Sequence, residues 1–514
     1  MIKRVLSAAA IAAFAFPLFA ASGAPAPVDP AAVALIAKHQ AYVGWHAGDG
    51  IVKTLRESGT VTRDGKERGK LEYLRYGLAH RSHWTDRNGL ERDEGFTGSL
   101  YWTSNVNGFT VRPVGEVARY LFDIDMLTGE LSGNLTPAIL KHVTVDGADT
   151  TVVRLTSEIG LPMEVYVDAA SGAYKRVVID PDGKYELIYN GIAYTEVGGK
   201  RFMSTWHYDD SKSVETYSKV EPDANIAADD LHPPKQTATW TFGEGTAHVE
   251  LTRNTFPRIF IDATMNGEKA RFILDTGAAG TVLTDSFARK VGAKRFGATS
   301  IGGIGGSVTA NLFRVDSIGV GGSTLHNVIV TSGIAEEWMQ REGVAGLIGF
   351  DLLGGAIVDL DLDAKTLNVL DPSRMEPDQT KGLVVHADLS DHHIRVPMKL
   401  NGKYDVIATL DSGNPLNVLF STDLITRDHL VFMVDPMQLG STRYGGGVGG
   451  YEIEHCGRLG SLDLGPVTYR PVPACDSSYG SHNEILVGLD FMKNFNYVFS
   501  YPDGIIVMIP RKNP

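Results

Sequence analysis

The chain has 514 residues, of which 43% are hydrophobic, and a formal net charge of −13 at pH 7. This length is more than one hydrophobic core supports, so the sequence predicts two or three domains. The acidic balance argues against nucleic acid or an anionic membrane as a partner.

The N-terminus has the organisation of a secretory signal peptide. Lys3 and Arg4 precede an almost wholly apolar run from Val5 to Ala21, and small residues follow it. A positive segment, an apolar segment and a small-residue cleavage site are the three parts of an export signal. We therefore predict a signal peptide over 1–23 and a soluble, periplasmic or secreted protein without a transmembrane span.

Residues 28–221 are predicted to form an N-terminal antiparallel β domain with a leading helix. Apolar residues between Pro30 and Gly44 have helical spacing, and strand-like runs separated by turns rich in Gly, Asp and Pro follow. The predicted strands are Glu57 to Thr62, Lys70 to Tyr76, Ser82 to Thr85, Thr151 to Thr156, Met163 to Asp168, Tyr174 to Ile179, Tyr185 to Tyr189 and Arg201 to His207.

A Gly-x-x-Gly-x-x-x-Trp step runs from Gly95 to Trp102 within this region. Together with the leading helix and the strand spacing, it resembles the half-barrel of LolA-type lipoprotein carriers. The resemblance implies a curved sheet whose concave face binds a lipid, an acyl chain or a segment of a substrate. The alternative is a filled structural domain that shields or positions the rest of the chain.

The next segment, 222–239, is rich in proline and contains few apolar residues. These features predict a linker between domains. The chain that follows is predicted to contain two related lobes, 246–380 and 381–514.

The first lobe contains a hairpin that leads into an Asp-Thr-Gly triplet. A strand-like run from Arg258 turns at Asn266-Gly267 and returns to Leu274, directly before Asp275. Asn-Gly between apolar runs is a strong hairpin signal because both residues tolerate positive φ. A glycine cluster and then an apolar segment with the order Gly-Phe-Asp follow. These landmarks are Asp275-Thr276-Gly277, Gly303-Ile304-Gly305 and Leu347 to Leu353.

The second lobe repeats the four landmarks in the same order. Its hairpin turns at Asn401-Gly402 and leads into an Asp-Ser-Gly triplet, at a distance from the turn that agrees with the first copy within one residue. The later landmarks are Asp411-Ser412-Gly413, Gly447-Val448-Gly449 and Leu486 to Met492. Chance rarely produces four landmarks twice in one order, so we infer an internal duplication.

Two Asp-hydroxyl-Gly triplets with matched glycine clusters resemble the retropepsin-type aspartic proteases, over roughly Thr246 to Ile509. The resemblance implies a mostly β, two-lobed acid protease fold of β-barrel lobes, with both lobes in one chain and a monomer as the active form. It implies Asp275 and Asp411 as the catalytic pair, with a peptide or protein as the substrate. It also implies that Thr276, Gly277, Ser412 and Gly413 support the active-site loops and that the two glycine clusters are substrate-binding flaps.

The chemistry of such a pair explains its residue types. Two carboxyl groups a few ångströms apart cannot both ionise easily, so the pair holds one proton. The ionised member takes a proton from water while the protonated member donates one to the peptide carbonyl oxygen. We therefore predict an aspartic endopeptidase that uses no cofactor.

The second triplet departs from the family pattern at Asn414-Pro415, where a small residue is usual. Asn414 either hydrogen-bonds the catalytic pair or crowds it. Two alternative functions stay open at this point. One is an inactive peptide-binding protein of the same fold, and the other is a lipid or lipoprotein carrier that acts through the N-terminal domain.

The two cysteines, Cys456 and Cys475, both lie in the second lobe. In an exported protein they can pair as a disulfide that closes a loop of about twenty residues, and the alternative is two buried free thiols. The sequence contains no H-E-x-x-H motif and no clustered Cys/His spacing. We therefore predict no metal site.

Overall fold

The computed structural model describes residues 29–512 apart from 46–48, 78, 112–135, 157–161, 180, 182–186, 209–211, 253–256, 334–335, 390–391, 416–417, 422–423, 425–440, 471 and 478–483. The predicted signal peptide, 1–23, lies outside the described residues. None of the helices in the described residues is both long and apolar enough to cross a bilayer.

The N-terminal part is a helix followed by a long antiparallel sheet. Helix α1 (Pro30–Val43) begins after Asp29, whose carboxylate accepts hydrogen bonds from the first N–H groups, and ends at Gly44 in the left-handed conformation. The strands are β1 (Thr54–Arg63), β2 (Lys66–Tyr76), β3 (Ala79–Asp86), β4 (Glu91–Phe96), β5 (Tyr101–Ser104), β6 (Thr110–Val111), β7 (Thr136–Val145), β8 (Ala148–Thr156), β9 (Pro162–Asp168), β10 (Tyr174–Ile179), β11 (Leu187–Val197), β12 (Lys200–Tyr208) and β13 (Ser213–Pro222).

In the described residues these strands form one 13-stranded sheet, the N-terminal sheet, with the order β6-β5-β4-β3-β2-β1-β13-β12-β11-β10-β9-β8-β7. β1 pairs with β13, which joins the two ends of the meander. α1 packs on the sheet through Ala32, and the His39 ring stacks on Tyr174 at 3.4 Å. The sequence analysis missed β13 because its residues are mostly polar.

The C-terminal region follows, and 246–380 and 381–514 are called its first half and second half below. The elements before and within the first half are β14 (Thr239–Thr241), β15 (Ala247–Leu251), β16 (Ile259–Met265), β17 (Glu268–Leu274), β18 (Val282–Leu283), α2 (Asp285–Lys290), β19 (Lys294–Gly303), β20 (Gly306–Val320), β21 (Ser323–Ser332), α3 (Glu336–Glu342), β22 (Gly346–Ile348), α4 (Phe350–Leu353), β23 (Ile357–Asp361) and β24 (Thr366–Leu370).

The second half has a similar order of strands and likewise ends with a short helix and two strands, but its described residues contain no counterpart of α2 or α3. Its elements are β25 (Leu383–His386), β26 (Arg395–Leu400), β27 (Tyr404–Leu410), β28 (Val418–Ser421), β29 (Ser441–Gly447), β30 (Gly450–Leu459), β31 (Leu462–Leu464), β32 (Val467–Tyr469), β33 (Val472–Ser477), β34 (Glu484–Val487), α5 (Leu489–Met492), β35 (Phe495–Ser500) and β36 (Ile505–Pro510).

The strand pairings of the two halves match. β17 pairs in parallel with β22, and β27 pairs in parallel with β34. In the first half, β18 runs antiparallel to β22 and parallel to β21. In the second half, β28 likewise runs antiparallel to β34 and parallel to β33. Each half also contains a turn hairpin, β16–β17 or β26–β27, and a glycine-tipped hairpin, β19–β20 or β29–β30. The prediction of a mostly β fold is confirmed.

The two halves share one sheet at their base. β23 of the first half pairs with β35 of the second half, within the strand order β15-β24-β23-β35-β36-β25. One hydrophobic core extends through both halves and includes Phe109 and Val111 from the N-terminal sheet. The final hairpin of the second half therefore also pairs with the first half.

The proline-rich segment 222–239 lies against both parts of the chain. Leu231 is buried, and its carbonyl oxygen accepts a hydrogen bond from the Trp102 indole at 3.2 Å. Ala238 is buried in the core of the C-terminal region, and its N–H donates to the Asn107 carbonyl oxygen at 2.9 Å. These contacts hold the segment in place between the two parts.

Candidate active site

Asp275 and Asp411 occupy equivalent positions, each directly after a strand in the middle of its half. β17 and β27 are buried at their C-terminal ends, where an antiparallel hairpin partner lies on one side and a parallel strand on the other. The Asp275 N–H donates to the Ile348 carbonyl oxygen at 2.9 Å, and the Asp411 N–H donates to Val487 at 2.9 Å. The backbone therefore presents both aspartates in the same way.

Thr276 and Ser412 tie the two triplets together through four reciprocal hydrogen bonds. The Thr276 hydroxyl donates to the Leu410 carbonyl oxygen at 2.7 Å and accepts from the Ser412 N–H at 2.9 Å. The Ser412 hydroxyl donates to the Leu274 carbonyl oxygen at 2.8 Å and accepts from the Thr276 N–H at 3.0 Å. Both side chains are buried, so water does not compete for these bonds.

The two glycines of the triplets allow the carboxyl groups to approach each other. A side chain on Gly277 would overlap the Asp411 carboxyl group, and one on Gly413 would overlap that of Asp275. The two carboxyl groups hydrogen-bond to each other across this gap. Any larger residue at either glycine would separate the pair.

The environment of the pair differs between the two aspartates. Burial raises the pKa of Asp275 well above its usual range, and the nearby Asp411 raises it further. A hydrogen bond from the Gly277 N–H, at 3.0 Å, has the opposite effect and lowers this pKa. Burial also raises the pKa of Asp411, but there the bond from Asp275 and N–H bonds from Gly413 (2.8 Å) and Asn414 (3.2 Å) oppose the effect. The pair therefore holds one shared proton above the usual carboxyl range.

Asn414 therefore contributes its backbone N–H to the pair. The local turn directs this donor at the Asp411 carboxylate. The Leu489 N–H also donates to the Asn414 carbonyl oxygen, at 2.8 Å, which links the triplet to α5.

The two glycine-tipped hairpins meet tip to tip. The Gly305 N–H donates to the Val448 carbonyl oxygen at 2.9 Å, and all six glycine-cluster residues predicted as flaps lie at this contact. Close approach of backbone to backbone requires glycine here, because side chains at Gly305 and Gly449 would overlap the facing tip. The six residues are Gly303, Ile304, Gly305, Gly447, Val448 and Gly449.

Each tip packs against apolar side chains of the opposite half. Ile304 of the first half contacts a cluster that contains Leu419, Leu486 and the two cysteines of the second half. Val448 contacts a cluster of the first half that includes Ile273, Val282 and Leu347, with Trp338 at its edge. These clusters lie on the strands that lead to the aspartates or pair next to them, so the tips pack on the same side-chain layers that flank the pair.

Cys456 and Cys475 are joined as a disulfide between β30 and β33 and are 19 positions apart in sequence. The bond connects the second glycine-tipped hairpin to the strand that packs beside β28. Among the described residues, one group of side chains is compact enough to hold a metal, Glu454 with Cys456 and Cys475. The disulfide occupies both of its sulfur atoms.

Sequence reasoning missed a residue from the N-terminal sheet that reaches beneath the first triplet. Asn107 is fully buried, and its amide donates to the Asp351 carboxylate at 2.6 Å and to the Ile329 carbonyl oxygen at 3.1 Å. The other Asp351 oxygen accepts the Thr281 N–H at 2.6 Å. Burial raises the pKa of Asp351 to about 6. No local signal marks Asn107, because its partners are more than 200 positions away.

Comparison with known families gives one match. The aspartyl protease family model matches residues 261–352, which include Asp275, the first glycine-tipped hairpin and Asp351. No curated protein matches the chain. The matched segment supports an aspartic protease domain and ends before Asp411. The assignment of Asp411 to the same site therefore depends on the hydrogen bonds between the two triplets.

Proposed function

We propose that this protein is an aspartic endopeptidase of the two-lobed, retropepsin-like type, with Asp275 and Asp411 as one catalytic pair. The observation that carries the proposal is the reciprocal bonding of Thr276 and Ser412. It holds two half-buried carboxyl groups, far apart in sequence, in mutual hydrogen-bond contact. The aspartyl protease match over 261–352 supports the same chemistry.

The proposed reaction uses the one proton that the two aspartates share. The ionised member of the pair takes a proton from a water molecule that attacks the peptide carbonyl carbon. The protonated member donates its proton to the carbonyl oxygen. Collapse of the tetrahedral intermediate then cleaves the C–N bond as a proton passes to the leaving amine, and neither residue forms a covalent intermediate.

An extended peptide would bind between the pair and the two hairpin tips. Because the tips contact each other through backbone, they must separate for a peptide to enter. The clusters that hold Ile304 and Val448 would then take apolar side chains on either side of the cleaved bond. The reaction proposed here therefore favours apolar residues next to the cleaved bond.

For the N-terminal sheet we propose a structural role. Aromatic side chains and α1 fill one of its faces, among them the buried Tyr73, Trp206 and Tyr217. Asn107, Phe109 and Val111 connect it to the C-terminal region. These contacts favour the filled structural domain over the lipid-binding alternative, and copurified lipid detected by mass spectrometry would reverse that preference.

We also propose that the protein is exported, with removal of residues 1–23. N-terminal sequencing of the protein from a periplasmic or culture fraction tests this proposal. A mature chain that retains Met1 would contradict it.

The test of the enzymatic proposal is the digestion of denatured casein at mildly acidic pH. Wild-type protein should release peptides, at a specific activity that does not change on dilution because both triplets lie in one chain. Asp275→Asn should bind casein without cleaving it, with an unchanged circular dichroism spectrum. Binding without cleavage by the wild type would favour the peptide-binding alternative.

A further inference from the structure

A buried arginine lies beside the candidate active site. Arg258 precedes β16 and is 8% exposed. β16 and β17 pair with Phe260 opposite Ile273, and two further steps along this register place Arg258 opposite Asp275. Its place in the hairpin therefore puts a permanent cation next to one member of the pair.

The second half has a histidine at the equivalent place. β26 and β27 pair with Arg395 opposite Thr409, so two further steps place His393 opposite Asp411. The two hairpins therefore carry basic residues at matched positions, but only arginine keeps its charge throughout the pH range in which proteins fold.

The guanidinium group of Arg258 has unused hydrogen-bonding capacity. Nη1 donates to the Pro257 carbonyl oxygen at 3.0 Å, and Nε has no hydrogen-bond partner in the described part of the chain. Arginine presents five N–H donors in a planar fork that matches a carboxylate. A buried guanidinium with an unused N–H donor favours a ligand that supplies an anionic acceptor.

The surroundings of Arg258 connect it to the space beneath the hairpin tips. Its guanidinium lies over the Trp338 ring at 5.5 Å, and Trp338 packs at the cluster that receives Val448. Glu342, Asp275 and Asp411 are the carboxylates whose charges reach it. A peptide that displaces Val448 from this cluster would bring its own groups to the guanidinium.

On the basis of the proposed endopeptidase activity, we propose that Arg258 is a specificity-determining residue that binds a carboxylate of the peptide substrate on the first-half side of the cleft. The carboxylate comes from an acidic side chain or from the C-terminus of a short peptide. The alternative role is charge balance, in which Arg258 offsets the acidic pair and makes no contact with substrate.

Peptide pairs distinguish these roles. All peptides are derived from the casein site that the enzyme cleaves best. The two members of a pair differ at one position only, where one has Glu and the other Gln, or at the C-terminus, where one has a free carboxyl group and the other an amide. We expect the wild type to prefer one acidic member by about tenfold in kcat/KM, because a site built to bind a polar group discriminates against its absence. The responsive position identifies the source of the carboxylate.

Four variants locate the preference. Arg258→Gln should reduce the ratio of kcat/KM between the acidic and the neutral peptide of a pair to about one. Arg258→Lys should retain part of the preference, because the lysine ammonium keeps the charge but not the planar array of N–H donors. Glu342→Gln should increase the ratio, since it removes a competing carboxylate. Arg271→Gln is the matched control and should leave the ratio unchanged, because Arg271 stacks on Phe260 at 4.0 Å but is half-exposed and paired with Glu250.

Each ratio is measured within one variant at one pH, so a change in the pKa values of the catalytic pair affects both peptides equally. A wild type that cleaves peptides with no preference at any position would overturn the role of Arg258. So would a preference that persists in Arg258→Gln. If Arg258→Gln does not fold, Arg258→Lys and the wild-type ratios decide. A wild type that cleaves no peptide contradicts the proposed function itself.

Discussion

The two halves of the C-terminal region have the same strand pairings but different external support. In the first half, Asp351 at the start of α4 is buried and accepts hydrogen bonds from Asn107 of the N-terminal sheet and from Thr281. In the second half, Asp490 at the start of α5 is half-exposed and pairs with Lys493 at 2.5 Å. The Cys456–Cys475 disulfide lies in the second half.

The two halves therefore share their strand pairings and triplets but not the contacts that support them. The first half depends on another part of the chain for a buried hydrogen-bond network, whereas the second half carries a covalent link of its own. If the two aspartates act as proposed, activity should respond equally to the loss of either one, and stability should respond unequally to changes in the two halves.

The largest expected effect concerns the pair itself. Asp275→Asn and Asp411→Asn should each lower kcat/KM on the order of 10³-fold or more, because each residue acts in the same proton-transfer steps. The double variant should be scarcely worse than either single one, since members of one catalytic unit are not additive. Substantial activity in Asp411→Asn would mean that the second triplet is a structural relic.

Loss of the disulfide should destabilise the second half. The double variant Cys456→Ser/Cys475→Ser should lose about 3 kcal/mol of unfolding free energy, from the loop entropy that a bridge of this span removes from the unfolded chain. Denaturant unfolding of wild type with and without a thiol reductant provides the comparison. Equal stability of the oxidised and reduced proteins would show that the strand pairing alone suffices.

Removal of the N-terminal support should destabilise the first half. Asn107→Ala should cost about 2 kcal/mol, because the buried Asp351 carboxylate and the Ile329 N–H both lose a partner. Thermal unfolding measures this loss. Asn88→Ala is the matched control, since Asn88 also bonds across to the C-terminal region, at the Ala298 carbonyl oxygen, but is only part-buried. An equal loss in both variants would contradict a special role for Asn107.

The equivalent change in the second half should have the smallest effect. Lys493→Met should cost less than about 1 kcal/mol, because the pair with Asp490 is partly exposed and water screens it. The same unfolding measurement applies. A loss as large as that of Asn107→Ala would remove the proposed difference between the halves.

The sequence predicted the parts of this site that depend on local patterns. Asn266-Gly267 and Asn401-Gly402 identify the hairpins, because positive φ at these positions favours such residues. The triplets and glycine clusters follow these hairpins in the same order in both copies, and this repeated pattern predicted that the two aspartates form a pair.

The remaining features depend on contacts between distant segments. The hydrogen bond between Asn107 and Asp351 forms only when the N-terminal part packs against the C-terminal region. Ile304 and Val448 each contact the opposite half, so these contacts require both halves to be folded. The positions of Arg258 and His393 opposite the aspartates follow only from strand register. In each hairpin, residues at the start of the first strand lie opposite residues at the end of the second strand. β13 was missed because pairing to β1 and β12 stabilises a polar strand that its own sequence does not mark.

The pH dependence of kcat/KM on a peptide substrate tests most directly whether Asp275 and Asp411 work as one pair. Because burial and the neighbouring carboxylate raise the pKa of Asp275, its proton is present at low pH and is lost as pH rises through that raised value. Activity should therefore fall on the alkaline side, and it should also fall at low pH, where both carboxyl groups of the pair are protonated and none can take a proton from water. Activity that continues to rise into alkaline pH would contradict a shared proton between the two halves.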